Sequence, residues 1–458
     1  MKPVIIIVLC AVSGLMLAGC TGIPAPGEKQ ARRDLGAVTK IYRPDNQPPS
    51  LPTLTPNSSL SNYMAFALLN QPQVASAYFD WSASVENITV SRSLPDPQLT
   101  FQSDIADVVK TVMPGFMQVF PGPGKLRASA GVASAESRAK YFAFETAALQ
   151  TAFDLKKSYY DLYFLDDRLR INRETLSLLN DLERIARAQN EVGKGTLQDV
   201  LRAQIERERV TTDIANLEDS RQPMLASFKA ALGIKPDQSD PPVPAQLETT
   251  PINPDSNELL RIAFARNPQL KAMEADVRAA EAGIALAYKS RVPDFSLGLM
   301  ADVKANPIVY RPLGGMTLPI WRDKTAAEIA QAKARELSAK ARLTSAQIAL
   351  AVDFAEQSFA YREIGRNLEL LENRLIPKAR QSLEIARAGY LSGTIDFFNL
   401  MDTERTLLNF ELSEVEARTQ REIVLSRLSL LIAGEPPAGT SLFTVNENDK
   451  PNSIKTFK

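Results

Sequence analysis

Residues Phe295 to Lys304 alternate without a break. Phe295, Leu297, Leu299, Ala301 and Val303 interleave with Ser296, Gly298, Met300, Asp302 and Lys304. A period of two predicts a strand with one apolar face and one polar face, as a strand with lipid on one side requires. Leu99, Phe101 and Ile105 against Gln98, Thr100, Gln102 and Asp104 give a second such strand. Return strands are expected near 113–121 and 309–320, where Pro114, Pro312 and Pro319 each remove a ladder donor.

Between these strands the pattern is helical and long. Residues 132–192 contain neither glycine nor proline, and neither do 320–364. At about 1.5 Å per residue, a 60-residue helix extends about 90 Å, so such helices must pair side by side as coiled coils or bundles. Shorter helices are expected over 58–93 and 256–291, broken early by Pro72 and Pro268, and return helices over 196–232 and 394–433. Pro377 should kink the second long helix.

The whole arrangement occurs twice. Ile185-Ala186-Arg187-Ala188 recurs as Ile385-Ala386-Arg387-Ala388, with Gly193 and Gly393 following at the same distance. Asn70-Gln71-Pro72-Gln73-Val74 resembles Arg266-Asn267-Pro268-Gln269-Leu270, Pro97 matches Pro293, and Lys125 pairs with Lys324. Agreement of glycines and prolines, the residues that punctuate structure, marks a tandem duplication of units of roughly 200 residues.

Composition narrows the function. Among 458 residues, 53 are Lys or Arg and 53 are Asp or Glu, a balance that gives nucleic acid no electrostatic footing. There is no histidine, and Cys10 and Cys20 are the only cysteines. Ser-His-Asp triads, Cys-His pairs and zinc-finger spacings cannot be built from this chain; an active site of carboxylates or lysine alone stays open, but no enzyme, no cofactor and no resident metal is the expectation.

The N-terminus reads as an address. Met1-Lys2 is a short positive segment, and Val4 to Ala18 is an apolar run too short to span a membrane with confidence. It ends in Leu17-Ala18-Gly19-Cys20, the pattern of a bacterial lipobox, in which Cys20 becomes the lipidated first residue after cleavage. The next residue is Thr21 rather than the aspartate that commonly retains lipoproteins at the inner membrane, which points to the outer membrane. Proline-rich stretches at 21–57, 234–257 and after Gly434 are expected to be extended, non-helical connectors.

Four strands cannot close a barrel, and an open edge in lipid strands its backbone donors and acceptors. Transmembrane strands here require a barrel shared between chains; two copies give 8 strands filled by their own side chains, so a conducting pore favours three or more. The alternative is a pair of soluble β-hairpins capping a helical bundle.

The duplicated layout resembles the TolC-type outer membrane efflux proteins. So do the two turns, Gly193-Lys194-Gly195-Thr196-Leu197-Gln198-Asp199-Val200-Leu201-Arg202-Ala203-Gln204 and Gly393-Thr394-Ile395-Asp396-Phe397-Phe398-Asn399-Leu400-Met401-Asp402. The resemblance implies a mainly α fold with a small β part: tandem long helical hairpins forming a periplasmic tunnel, and four strands per chain entering a shared 12-stranded trimeric barrel. It implies a homotrimer set in outer membrane lipid and docked to an inner-membrane pump through a periplasmic adaptor, the membrane fusion protein. The two turns would form the periplasmic tip. The family commonly carries Asp six residues after the turn glycine and often another three further on. Asp199 holds the first place in the first repeat; the second repeat has Asn399 there and Asp402 at the later place. Asp402, Asn399 and Asp199 are therefore the candidate gate residues, with Arg202 at the place matching Asp402, and Phe397 and Phe398 expected to pack the tip. Phe120-Pro121-Gly122-Pro123-Gly124-Lys125 and Pro319-Ile320-Trp321-Arg322-Asp323-Lys324 resemble the heavy-metal-efflux branch.

The reading divides the chain into a signal peptide (1–19), an anchored proline-rich segment (20–57), the two repeats (58–233 and 256–434), a linker (234–255) and a tail (435–458). A non-channel helical spacer or adaptor lipoprotein is the rival, and it would not need the alternating strands. Cargo stays open among metal ions, small organic toxicants and secreted polypeptide.

Overall fold

In the computed structural model, residues 27–44, 47–105, 109–243 and 256–432 are described; Cys10, Cys20 and the tail 435–458 lie outside them. Ten helices and four strands are named here. They are α1 (Glu28–Tyr42), α2 (Leu60–Asn70), α3 (Pro72–Arg92), β1 (Gln98–Ile105), β2 (Val109–Phe120), α4 (Lys125–Glu191) and α5 (Leu197–Ala231). The same order then repeats: α6 (Ser256–Arg266), α7 (Pro268–Lys289), β3 (Phe295–Asp302), β4 (Val309–Met316), α8 (Arg322–Leu370), α9 (Ile376–Ser392) and α10 (Phe397–Ile432).

Glycine and proline set most boundaries. The break between α2 and α3 falls at Gln71, directly before Pro72, and α7 starts on Pro268. Proline is tolerated there because the first turn of a helix has no intrahelical partner for that N–H. The uninterrupted α4 runs 67 residues, about 100 Å at the α-helical rise. Instead of a sharp kink at Pro377, the structure inserts one π-helical turn, Leu371–Leu375, between α8 and α9. The wider turn accommodates the proline's missing donor and its ring.

One expectation fails. Residues 21–57 are not wholly extended, because Glu28–Tyr42 is a 15-residue helix. No proline falls between Gly27 and Arg43, so the local rule against helix does not reach this stretch. The helix is clasped by a buried carboxylate. Arg92 Nε lies 2.8 Å from Glu28 Oε2, Thr89 Oγ1 donates to Glu28 Oε1 at 3.1 Å, and Arg32 Nε approaches the same oxygen at 3.2 Å. Arg32 also reaches Glu86 at 2.9 Å, holding α1 along α3.

The chain forms two compact units. Of the described residues, the first takes 27–40, 78–143 and 271–345, and it holds the sheet. All four strands form one antiparallel meander in the order β1-β2-β3-β4. Leu99, Phe116, Leu299 and Pro312 stand opposite one another across the sheet, as do Thr100, Gly115, Met300 and Arg311 one step along. The first row belongs to an apolar face left open among the described residues: Leu99 is 90% exposed and Phe101 70%. The return strands, at 109–120 and 309–316, both end earlier than expected, and the first also begins earlier. Pro312 is tolerated on the edge strand β4, and the paired run between β2 and β3 stops at Gly115, beside Pro114, which has no hydrogen to give. Met300 lies on the opposite face from Leu299, as the alternation requires, but it is buried across Gly115 rather than open.

Helices meet strands at a knot of polar contacts in this unit. Asp294 Oδ1 accepts from Lys125 Nζ and from Gly122 N–H, both at 2.7 Å. Thr317 and Asp294 exchange two further bonds, at 2.7 and 2.9 Å.

The second unit takes residues 41–77, 144–270 and those after 345. Each repeat closes its return helix on its own opening helix here. Asn70 Nδ2 donates to the Leu232 carbonyl at 2.9 Å, and Asn267 Nδ2 donates to the Leu431 carbonyl at 3.1 Å. Among the described residues no helix is long and apolar enough to cross a membrane.

Candidate functional site at the two helical turns

The α4–α5 turn and the α9–α10 turn are built the same way. Gly193 (φ 73°) and Gly393 (φ 78°) adopt the left-handed conformation that ends a helix, which glycine enters without a Cβ penalty. In the first turn the N–H of Lys194 reaches the Gln189 carbonyl (2.8 Å) and that of Gly193 the Asn190 carbonyl (3.1 Å). In the second, Thr394 reaches Gly389 (2.8 Å) and Gly393 reaches Tyr390 (3.1 Å). Both satisfy carbonyls that the last turn leaves without partners.

The helices that leave the turns are capped differently. In the first repeat Thr196 Oγ1 accepts from Asp199 N–H, and Asp199 Oδ2 accepts from Thr196 N–H at 3.0 Å, a reciprocal capping box. In the second, Asp396 Oδ1 accepts from Asn399 N–H at 2.8 Å. The capping acid has moved from the third helical position to the cap itself, which leaves position 399 to an amide. Asp199 is thus tied to its own helix start. Asn399 and Asp402 are exposed, and the Asp402 carboxylate makes no hydrogen bond or ion pair among the described residues.

Beneath the turns the repeats share one core. Leu179, Leu182 and Ala186 of α4, Val200, Ala203 and Val210 of α5, Ala386 and Tyr390 of α9, and Phe397, Leu400 and Met401 of α10 form a single buried cluster. Phe397 packs against Tyr390 with the rings tilted and their centroids 5.1 Å apart. Phe398 does not pack inward as expected. It is 57% exposed, because consecutive residues point a third of a turn apart, and the Arg202 guanidinium lies over its ring at 5.1 Å. Tyr390 is the aromatic that sequence reasoning passed over. Its hydroxyl is buried without a hydrogen-bond partner among the described residues, and burial, with the nearby Asp199 charge adding to it, raises its pKa.

Polar links hold each hairpin closed. Glu183 of α4 accepts from Arg207 (2.7 Å) and Gln204 (2.9 Å) of α5 and from Arg187 of its own helix (2.9 Å). The Gln204 hydrogen bond, outweighing burial and joined by the two arginines, lowers the carboxyl's pKa. Arg380 to Glu411 (2.8 Å) and Arg418 to Glu372 (2.7 Å) serve the second hairpin. Arg405 pairs with Glu206, joining α10 to α5 across the repeats. Glu404, one residue earlier, is buried. A signal for it existed: Phe397, Leu400 and Glu404 share one helical face at spacings of three and four, so a carboxylate sits on the apolar stripe. Among the described residues no group of three or more Cys, Asp or Glu side chains is placed to hold a metal ion.

The sequence profile described as outer membrane efflux protein matches residues 65–234 and 259–434. Among solved structures, an outer membrane protein of Vibrio cholerae, VceC, superposes with a TM-score of 0.69 at 17% identity, covering 82% of this chain and 96% of that one. A membrane protein from Pseudomonas aeruginosa gives 0.71 at 21% identity, covering 84% and 92%. The open state of the MtrE outer membrane channel of Neisseria gonorrhoeae gives 0.69 at 17% identity, covering 83% and 94%. No curated protein sequence matches.

Proposed function

Because the chain belongs to the outer membrane efflux protein family, we propose that it is the exit duct of a tripartite efflux system, a passive conduit rather than an enzyme. Three copies pool their strands into one 12-stranded barrel in the outer membrane, and their long helices continue it as a tunnel across the periplasm. A periplasmic adaptor and an inner-membrane pump deliver the cargo. Cys20 carries the lipid anchor. The observation that carries this reading is the sheet. Its apolar face is open along β1 and β3, and its first and last strands lack outer neighbours within the described residues. A single chain with such a face and two such edges is complete only when lipid covers the face and other copies pair the edges. A helical spacer has no use for either.

At the tip, three exposed Asp402 side chains form one ring of charge, flanked by Asn399, while Asp199 caps α5. Metal cations are the first cargo to test, given the junctions at 120–125 and 319–324, and small toxic compounds the second.

Reconstitution into planar bilayers tests the reading. We expect a trimer resistant to mild detergent, moving as a monomer only after heating, and discrete conductance steps. A monomer that inserts no conducting unit would overturn it.

A further inference from the structure

A cavity of about 360 Å³ opens between α4, α5 and α10, lined by Arg168 of α4, Glu206, Arg209 and Asp213 of α5, and Glu404 and Arg405 of α10. Glu404 is only 5% exposed, and its carboxylate accepts no hydrogen bond and forms no ion pair among the described residues. Its neighbours are engaged. Glu206 pairs with Arg405 and lies 3.8 Å from Arg209. The Arg168 guanidinium lies over the Phe164 ring at 5.2 Å. Glu411, the next carboxylate along α10, pairs with Arg380 of α9.

We propose that Glu404 is a proton-operated latch on the seam where the return helices of the two repeats, α5 and α10, meet. Protonated, it sits in the cavity wall as a neutral side chain. Ionised, it is a poorly solvated charge that repels Glu206 and competes with it for Arg405, and the relief is for α10 to move away from α5 and widen the cavity to water. The electrostatics agree with the geometry: burial first, with the Glu206 charge adding to it and Arg405 opposing, pushes the Glu404 carboxyl up to about 7. A group bound more tightly to its proton in the closed seam than in the open one stabilises the closed seam at low pH. That stabilisation is complete below the ordinary glutamate range, falls as pH rises through 7, and is gone above it. Both helices begin at the turns, so the latch couples proton concentration to the tip. This last step rests on the reading of the turns as the gate; the latch itself does not.

Spin labels at exposed Thr212 of α5 and Ser413 of α10, in detergent-solubilised trimers, read the seam directly. The α5–α10 distance should lengthen as pH rises from 4.5 to 8.5, levelling off above 7. Glu404→Gln should hold the short distance at every pH, and Glu206→Gln should shift the midpoint. No change with pH in the parent protein, or an unchanged transition in Glu404→Gln, overturns the latch. Channel open probability, recorded in parallel, should rise through the same pH range. A seam that responds through Glu404 while conductance stays flat upholds the latch and refutes the gate reading.

Discussion

Lys125 and Asp294, 169 residues apart, meet at 2.7 Å and join the first repeat to the second where helices become strands. Lys324, at the place in the second repeat that matches Lys125, is instead largely exposed and lies 3.9 Å from Glu328 of its own helix. Repeated sequence has been put to unequal use. Only one of the two lysines reaches across to the other repeat.

That inequality is measurable. Asp294→Ala removes an acceptor shared by Lys125 and the Gly122 N–H, and hydrogen bonds to charged groups are worth about 1.5–3 kcal/mol each before solvent discounts a half-exposed pair. We expect about 1–2 kcal/mol of destabilisation, seen as a lower melting temperature and less heat-resistant trimer. Lys324→Met should change stability by less than about 0.5 kcal/mol. Equal losses from the two variants would show that the knot contributes nothing.

The sheet's faces can be told apart by neighbouring residues on β1. Phe101→Arg places a charge on the apolar face, at about 2–4 kcal/mol near the bilayer midplane. Gln102→Arg, exposed on the opposite face, should leave membrane assembly near the parent level. Met300 is unsuitable for this comparison, because an arginine there must also displace a buried side chain resting on Gly115. Equal assembly yields for the two β1 variants would argue against lipid on the Leu99–Phe101 face.

At the tip, Asp402→Ala should reduce cation selectivity and divalent-ion block in single-channel recordings, since the proposed ring of three like charges at a narrow opening attracts cations. Asn399→Asp should strengthen both. It adds a second ring, and a carboxylate in the first turn of α10 also suits the helix N-terminus. Traces indistinguishable from the parent in conductance, selectivity and block would remove these residues from the pore.

Capping offers an independent check on Asp199. Asp199→Ala breaks half of the capping box, for about 1 kcal/mol of local stability. Hydrogen exchange at Thr196 to Val200 should accelerate about fivefold, with cation selectivity little altered. A selectivity loss matching that of Asp402→Ala would put Asp199 in the pore rather than in the cap.

For the anchor, Cys20→Ser should abolish acyl labelling while the trimer still assembles, because in the proposed assembly the shared barrel itself holds the protein in the membrane. Palmitate label retained on the variant would sink the lipobox assignment.

What the sequence determined by itself was whatever acts over a few residues. The alternation of Phe295 to Val303, the glycines at 193 and 393, the breaks at Pro72 and Pro268 and the disturbance before Pro377 follow from side-chain period and backbone sterics. The Thr196–Asp199 capping box obeys a local rule too, a Thr with an acid three places on, yet the family resemblance directs attention to Asp199 as a gate residue instead. Other features depended on residues brought together from far along the chain. Arg32 lies one turn from Glu28, but nothing nearby marks Glu28 as the carboxylate that fastens α1 to α3, because Thr89 and Arg92 lie more than 60 positions away. Met300 shares the period of its polar neighbours, and only the sheet's register lays it across Gly115. Asp402 and Glu404 are two acids of one turn, and local rules treat them alike. The tertiary structure separates them, because α10 packs against α5 on one side only, leaving Asp402 exposed and Glu404 buried beside Glu206. Burial of a charge is a property of every element around it, and no window of sequence contains them all.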